Sequence, residues 1–428
     1  MKTVRLVAIN ALVFLALLAG LELFFRAKGS PANAAIEQRN GMQLHTLPYM
    51  MFANPPHSHY SVWHNTFSGQ DEKADIQANN EGFNDPRDFD WRKPYTKAAN
   101  EKIVLVTGGS AAWGLGSTSF VTTIAGALQA ELNRARPDVK YTVINLAMGS
   151  WIAYQQFIGL EMWGSQFDPD WVIIMDGHND AGVGCAYSQG VANPLYFPAM
   201  KNLVDAYSAT GLARPVYLRS WIENELIYYS TAYRALTGKK YIPASNVDAT
   251  SHDAARNTAA KVVVPTKIGA ARDMLQFYIK ATKASLSLFP RAKYILSTQP
   301  LANEFTGDFV DVYKSSQLEA DATAMAKREE TLEIYLKANE EKICNTETYI
   351  PSFTYVFVKG AFELEKLAAR ARTTGRFVEY HNIGRIFPNA RADRLKYFID
   401  TVHISDRGAQ EIGKFYANRV LQADRSTN

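Results

Sequence analysis

The chain has 428 residues, of which 47% are hydrophobic and 12% aromatic, enough for one large domain or two ordinary ones with a full core. Its formal charge is only +4, and without a long basic run nucleic-acid binding has no support. Two cysteines, Cys185 and Cys344, exclude a disulfide scaffold and a cysteine-rich metal site, although in an oxidising compartment they are a candidate disulfide pair.

Leu6 to Phe25 is an apolar stretch, interrupted by Asn10 and Glu22 and preceded by Lys2 and Arg5. Its length suits a single bilayer-spanning helix, and the preceding charges favour a cytoplasmic amino terminus. Residues 1–28 are thus expected to be a membrane anchor; a cleaved signal peptide, with Ala32-Asn33-Ala34 as the cleavage site, is the alternative. Both readings export the rest of the chain. The expected location is the cytoplasmic membrane, single-pass, with the main domain outside the cytoplasm. The alternative is a free exported protein. Residues 29–100 are polar and weakly periodic, and read as a spacer. His57, His59 and His64 cluster there, but acidic or cysteine partners are not close in sequence, so no metal site is assigned.

The main domain is expected over 101–424. Ile103 to Val106 is a run of branched apolar residues, suited to a strand buried on both faces of a parallel sheet. Phe120 to Arg136 has helical spacing, with Ile124, Leu128 and Leu132 on one face. Tyr141 to Leu146 is a second strand, Trp151 to Trp163 a helix, and Trp171 to Met175 a third strand. This rhythm implies parallel crossovers and a doubly wound sheet. From 181 to about 265 the pattern loosens, with helix-like pieces over Tyr207 to Leu236; the region carries Tyr187, Tyr196, Tyr207, Tyr217, Tyr228 and Tyr229 and is read as a large insertion that shapes a cleft. Ile268 to Leu288 is a helix, Tyr294 to Thr298 a fourth strand ending in Gln299-Pro300, and Leu318 to Ala338 a charged helix. Ala361 to Arg372 is another helix, Phe377 to His381 a fifth strand, and Arg407 to Leu421 a terminal helix.

The most informative stretch is Lys102 to Ser117, KIVLVTGGSAAWGLGS. No Gly-Lys-Ser/Thr follows, so it is not a phosphate-binding P-loop. Gly114 and Gly116 lack the third glycine of a dinucleotide fingerprint. Two readings remain: a strand and turn with an incidental serine, or a nucleophilic Ser110 at a strand's carboxyl end, where open α/β sheets place their ligands. The second needs a base, an orienting carboxylate and oxyanion donors. Asp400 and His403, three apart, can bond to one another. The Gly149 N–H and the Asn179 amide can join the Ser110 N–H as donors to an oxyanion. His178, Asp176, Asp180 and His381 are read as structural.

This set resembles the SGNH/GDSL hydrolase family. Gly109-Ser110 stands for its serine block, Asn145 to Gly149 for its glycine block, Gly177-His178-Asn179-Asp180 for its asparagine block, and Asp400-Thr401-Val402-His403 for its Asp-x-x-His block. The family's first block usually has Asp before the serine, where this chain has Gly109. The resemblance implies a three-layer α/β/α fold with a flavodoxin-like parallel sheet, here with a large helical insertion. It implies a catalytic triad of Ser110, Asp400 and His403, an acyl-serine intermediate, and neither metal nor organic cofactor. With the exported location, it implies an esterase acting on short acyl esters, acetyl above all, of a carbohydrate. A polysaccharide O-acyltransferase, a lipid-directed esterase and a catalytically silent glycan-binding protein are the alternatives.

Overall fold

The structure is a computed structural model that describes residues 16–24, 45–47, 50–54, 56–90, 93, 95–181, 230, 232–233, 236, 267–302, 330, 333–334, 337 and 355–425. The chain divides into two compact units, Met1–Gly41 with Leu195–Ala255, and Met42–Pro194 with Arg256–Asn428. In the first unit residues 16–24 are helical, and Leu17, Leu18, Leu23 and Phe24 are exposed. Glu22, which interrupts the apolar run, accepts hydrogen bonds there from the Ser230 hydroxyl at 2.8 Å and the Ala232 N–H at 3.0 Å. Among the described residues no helix is long and apolar enough to cross a membrane; residues 6–15 of the apolar run lie outside them. Cys185, Cys344, nearly all of the expected insertion with its tyrosines, and most of the charged helix expected at Leu318 to Ala338 also lie outside the described residues.

The second unit opens with two antiparallel strand pairs, β1 (His45–Leu47) with β2 (Met51–Ala53), and β3 (His59–Asn65) with β4 (Gln70–Gln77). The polar composition of 29–100 conceals these strands. Along β4 the side chains lie mostly in solvent, so Ile76 is its one buried apolar position. Tyr60, Trp63 and Phe83 are nevertheless fully buried. His59 and His64 pair with Asp75 and Asp71 on the hairpin surface. Among the described residues no group of three or more His, Cys, Asp or Glu is placed to hold a metal ion.

Five parallel strands come next: β5 (Glu101–Gly108), β6 (Lys140–Asn145), β7 (Trp171–Asp176), β8 (Lys293–Thr298) and β9 (Val378–Asn382). Their order is β6-β5-β7-β8-β9, the flavodoxin-like doubly wound order. It reverses between β5 and β7, the topological switch point. The apolar runs read from sequence are these strands, and β7 is buried along its whole length because both faces are covered. Each fully buried Val or Ile there contributes about 1.5–3 kcal/mol of transfer free energy.

The helices fall into two groups. On one side α2 (Ile124–Ala135) packs on β6 and on the terminal helix α6 (Asp406–Arg425). On the other, α3 (Ala153–Met162) packs on α4 (Lys267–Leu288), which packs on α5 (Gly360–Thr373). Thr123 caps α2 by accepting from the Gly126 N–H. α6 buries Ala409, Ile412, Gly413, Tyr416, Ala417 and Val420, one face at helical spacing. A Cβ on Gly413 would lie 2.7 Å from the Ala127 Cβ, so only glycine allows α2 and α6 to approach this closely.

Candidate active site

Three residues of the expected constellation lie just past strand ends at the carboxyl edge of the sheet. β5 ends at Gly108 and, after Gly109, Ser110 opens a short helix α1 (Ser110–Trp113). As the first helical residue, Ser110 has an N–H with no intrahelical acceptor. β6 leads into Gly149: the preceding Met148 N–H donates to the Gly108 carbonyl at 3.1 Å, which brings the glycine block against the serine block. The next residue, Ser150, has a φ of 60°, which turns the chain away into α3. β7 leads into His178 and Asn179.

Asp400 and His403 come from a small loop closed by the Ile399 N–H donating to the His403 carbonyl at 3.0 Å. The His403 Nε2 lies 2.9 Å from the Ser110 Oγ, and the His403 Nδ1 lies 2.7 Å from the Asp400 Oδ2. The other Asp400 oxygen accepts from the Val402 and His403 N–H groups, both at 2.7 Å. Burial acts to raise the Asp400 pKa. The His403 ring hydrogen bond and charge and the two N–H donors outweigh it and bring the carboxyl down to about 2. Asp400 is therefore a carboxylate at any working pH. With Nδ1–H donating to it, His403 Nε2 faces Ser110 with its lone pair and can take the serine proton.

The Asn179 amide completes the group. Its Nδ2 donates to the Trp151 carbonyl at 2.8 Å, and one N–H remains. A Cβ built on Gly109 would stand 2.7 Å from this same nitrogen. Asn179 thus occupies the space a side chain at 109 would need, beside the Ser110 N–H. The departure at Gly109 has a steric reason in this chain.

The residues read as structural have structural partners. The Tyr278 hydroxyl donates to Asp176 at 2.5 Å, and both Asp180 oxygens accept from the Ala153 N–H at 3.1 and 3.2 Å, which ties the asparagine loop to α3. Burial raises both carboxyls. At Asp176 the like charge of Asp180 adds to the rise, and Asp180 is pushed up to about 7. Burial first, then the nearby His403, holds the half-buried His178 imidazole down to about 3, so it is neutral beside the triad. His381 bonds Glu379, which Arg419 holds by a two-pronged pair.

Several supporting residues escape a reading by motif. Gln299, fully buried after β8, donates to the Val402 carbonyl at 3.3 Å, inside the Asp400–His403 loop. The Ala302 N–H donates to the Thr401 carbonyl at 3.1 Å. Asp406, at the start of α6, accepts from the Thr118 N–H at 2.8 Å and its hydroxyl at 2.6 Å, which locks the acid–base loop to the serine loop. Asn84 and Asn145 both donate to the Trp113 carbonyl at the end of α1. Gln299 and Asn145 carried a signal, their places at the carboxyl ends of strands and, for Asn145, its place in the glycine block; Asn84, Thr118, Ala302 and Asp406 carried none.

No family model matches the chain, and no curated protein matches it. Solved structures similar to it include an acetyl-xylooligosaccharide esterase from Geobacillus Stearmophilus, at 12% identity and a TM-score of 0.36 over 74% of this chain and 93% of that one. A GDSL-like lipase from Bacteroides thetaiotaomicron is similar at 10% identity and a TM-score of 0.33, over 75% and 89%. A two-domain esterase active on acetylated mannans is similar at 11% identity and a TM-score of 0.35, over 77% and 51%. At such identities the reading of this chain rests on its own residues.

Proposed function

We propose that the chain is a serine ester hydrolase with Ser110, His403 and Asp400 as its triad. The observation that carries the reading is the unbroken relay from Ser110 Oγ through His403 to the Asp400 carboxylate, at 2.9 and 2.7 Å. Ser110 Oγ attacks the ester carbonyl carbon as His403 Nε2 takes its proton. The carbonyl oxygen, now an oxyanion, is met by the Ser110 and Gly149 N–H groups and the Asn179 amide. The intermediate collapses, the alcohol leaves with the proton from His403, and Ser110 carries the acyl group. Water, deprotonated by the same imidazole, attacks the acyl carbon and releases the acid. Asp400 keeps the imidazole tautomer and stabilises the imidazolium throughout. None of these steps calls on a metal or an organic cofactor.

The substrate we propose is a short acyl ester, most of all acetyl, on a carbohydrate outside the cytoplasm. Its support is the sequence. The stretch between the third and fourth strands is rich in tyrosine and polar residues, which suit a sugar's C–H faces and hydroxyls. It shows no continuous Leu/Ile/Phe run for a long acyl chain. The location is supported by the apolar run Leu6 to Phe25, and a phosphatase fused after Asn428 should be active if that run exports the remainder of the chain. The reaction is tested by labelling with a fluorophosphonate and by a chain-length series of acyl esters beside acetylated oligosaccharides. Labelling that survives Ser110→Ala would remove the triad. A kcat/KM that climbs steadily to long acyl chains, with acetylated sugars inert, would replace the carbohydrate reading by a lipid-directed one.

A further inference from the structure

The β3–β4 hairpin touches both catalytic loops. On the serine side, Tyr60 of β3 packs edge-on against Trp113, the last residue of the helix that Ser110 opens, with ring centroids 5.1 Å apart. Tyr60 also stacks on Trp63, and the buried Trp63 indole donates to the Ser117 carbonyl at 2.6 Å. From β4 the Asp75 N–H donates to the Thr118 carbonyl at 2.7 Å, and Asp75 makes a bridge to Ser119.

At its tip the hairpin reaches the acid–base loop. The Thr66 N–H and Thr66 hydroxyl both donate to the Ile399 carbonyl, at 2.7 and 3.0 Å. Ile399 immediately precedes Asp400, and its own N–H closes the loop on His403. The tip is itself fixed. The Asn65 carbonyl oxygen Oδ1 accepts from the Phe67 and Ser68 N–H groups, and Asn65 Nδ2 donates to Glu72 at 2.7 Å.

Ser110 and His403 are 293 residues apart in the chain, so their 2.9 Å separation depends on what holds their two loops in register. One tie is direct, from Thr118 to Asp406. The hairpin is a second tie across both loops, made by one hydrogen-bonded pair of strands. We propose that this hairpin is a positioning element, with Trp63 and Thr66 as its positioning residues: it sets the Ser110–His403 geometry without touching substrate. The proposal rests on the hydrolase reading above. Its physical basis is that a misplacement of about 1 Å between reacting groups costs on the order of a hundredfold in rate.

The test uses the full chain, a short acyl ester for kcat and KM, and the rate of fluorophosphonate labelling at Ser110. Thr66→Val keeps the side-chain volume and the backbone bond but loses the hydroxyl. It should lower kcat and the labelling rate about fivefold, with KM within about twofold. Thr66→Ser should restore the wild-type rate. Trp63→Phe combined with Thr66→Val removes both side-chain hydrogen bonds from the hairpin to the two loops and should lower kcat about a hundredfold. Ile76→Val, a core trimming of the same hairpin with neither tie broken, should lower Tm and leave kcat unchanged. The inference is overturned if the double variant keeps wild-type kcat and labelling, or if Ile76→Val loses as much activity at the same loss of Tm. A wild-type chain inert to both ester and probe would instead overturn the hydrolase reading, and the inference with it.

Discussion

A side chain at position 109 should disable the site without unfolding the protein. Gly109 sits at φ −84° and ψ −158°, extended backbone that any residue adopts, so Gly109→Ala brings no backbone penalty. Its Cβ, however, would stand 2.7 Å from the Asn179 Nδ2, about 0.7 Å inside the 3.4 Å at which ordinary contact begins. That nitrogen is held from the other side by its bond to the Trp151 carbonyl at 2.8 Å, so the amide can yield only by lengthening or rotating that bond. Either movement displaces the remaining Asn179 N–H, which in the proposed mechanism is a donor to the oxyanion. Loss of one preorganised donor costs about 100- to 1,000-fold in kcat, or about 2.7–4 kcal/mol of transition-state stabilisation. Gly109→Ala should therefore lower kcat by about a hundredfold on a short acyl ester, with KM and Tm near wild type. The check is made in the Asn179→Ala background, where the clashing atom is gone and the next neighbour, the Gln299 Oε1, lies a comfortable 3.7 Å away. There Gly109→Ala should cost little more. An equal loss in both backgrounds, or full activity in the single variant, would refute the steric argument.

Three further outcomes are expected from the same geometry. Asn179→Ala alone should lower kcat by about a hundredfold or more with KM nearly unchanged, and an unaltered kcat in steady-state assays would mean that its amide does not face the oxyanion. Asp400→Asn should lower kcat by about 10⁴-fold because the imidazole loses its tautomer lock, while a mild loss across the pH range would argue against that role. Asp180 offers a pH test. Its pKa is raised from the ordinary 3.8 to about 7, so the fold favours the protonated acid, and the stability this contributes is present below about pH 4 and lost as pH rises to about 7. Asp180→Asn keeps an acceptor for the Ala153 N–H and relieves Asp176 of a like charge. Calorimetry should then find a smaller drop in Tm between pH 5 and pH 8 than in the wild type; an unchanged drop would place the titration elsewhere.

The local features of this protein were legible in its sequence because short-range physics determines them. Runs such as Ile103 to Val106 and Trp171 to Met175 can only be satisfied by burial on both faces, and their alternation with helical spacing leads to a parallel doubly wound sheet. The positions of Ser110, Gly149 and Asn179 after strand ends come from that sheet. The Asp400–His403 pair needs only one turn of chain. What the tertiary structure decided is everything that depends on distant segments meeting. The segment 45–89 gives no periodic signal, because β4 is mostly exposed and its neighbours contribute isolated aromatics, yet it buries Tyr60 and Trp63 against the serine loop and Phe83 against Trp151 and Trp163. No spacing rule could join Thr66 to Ile399, or Thr118 to Asp406, across about three hundred residues. Gly109 is the plainest case. From the sequence it is a departure from a motif, and only the approach of Asn179 from a different strand shows that the missing side chain is space already taken.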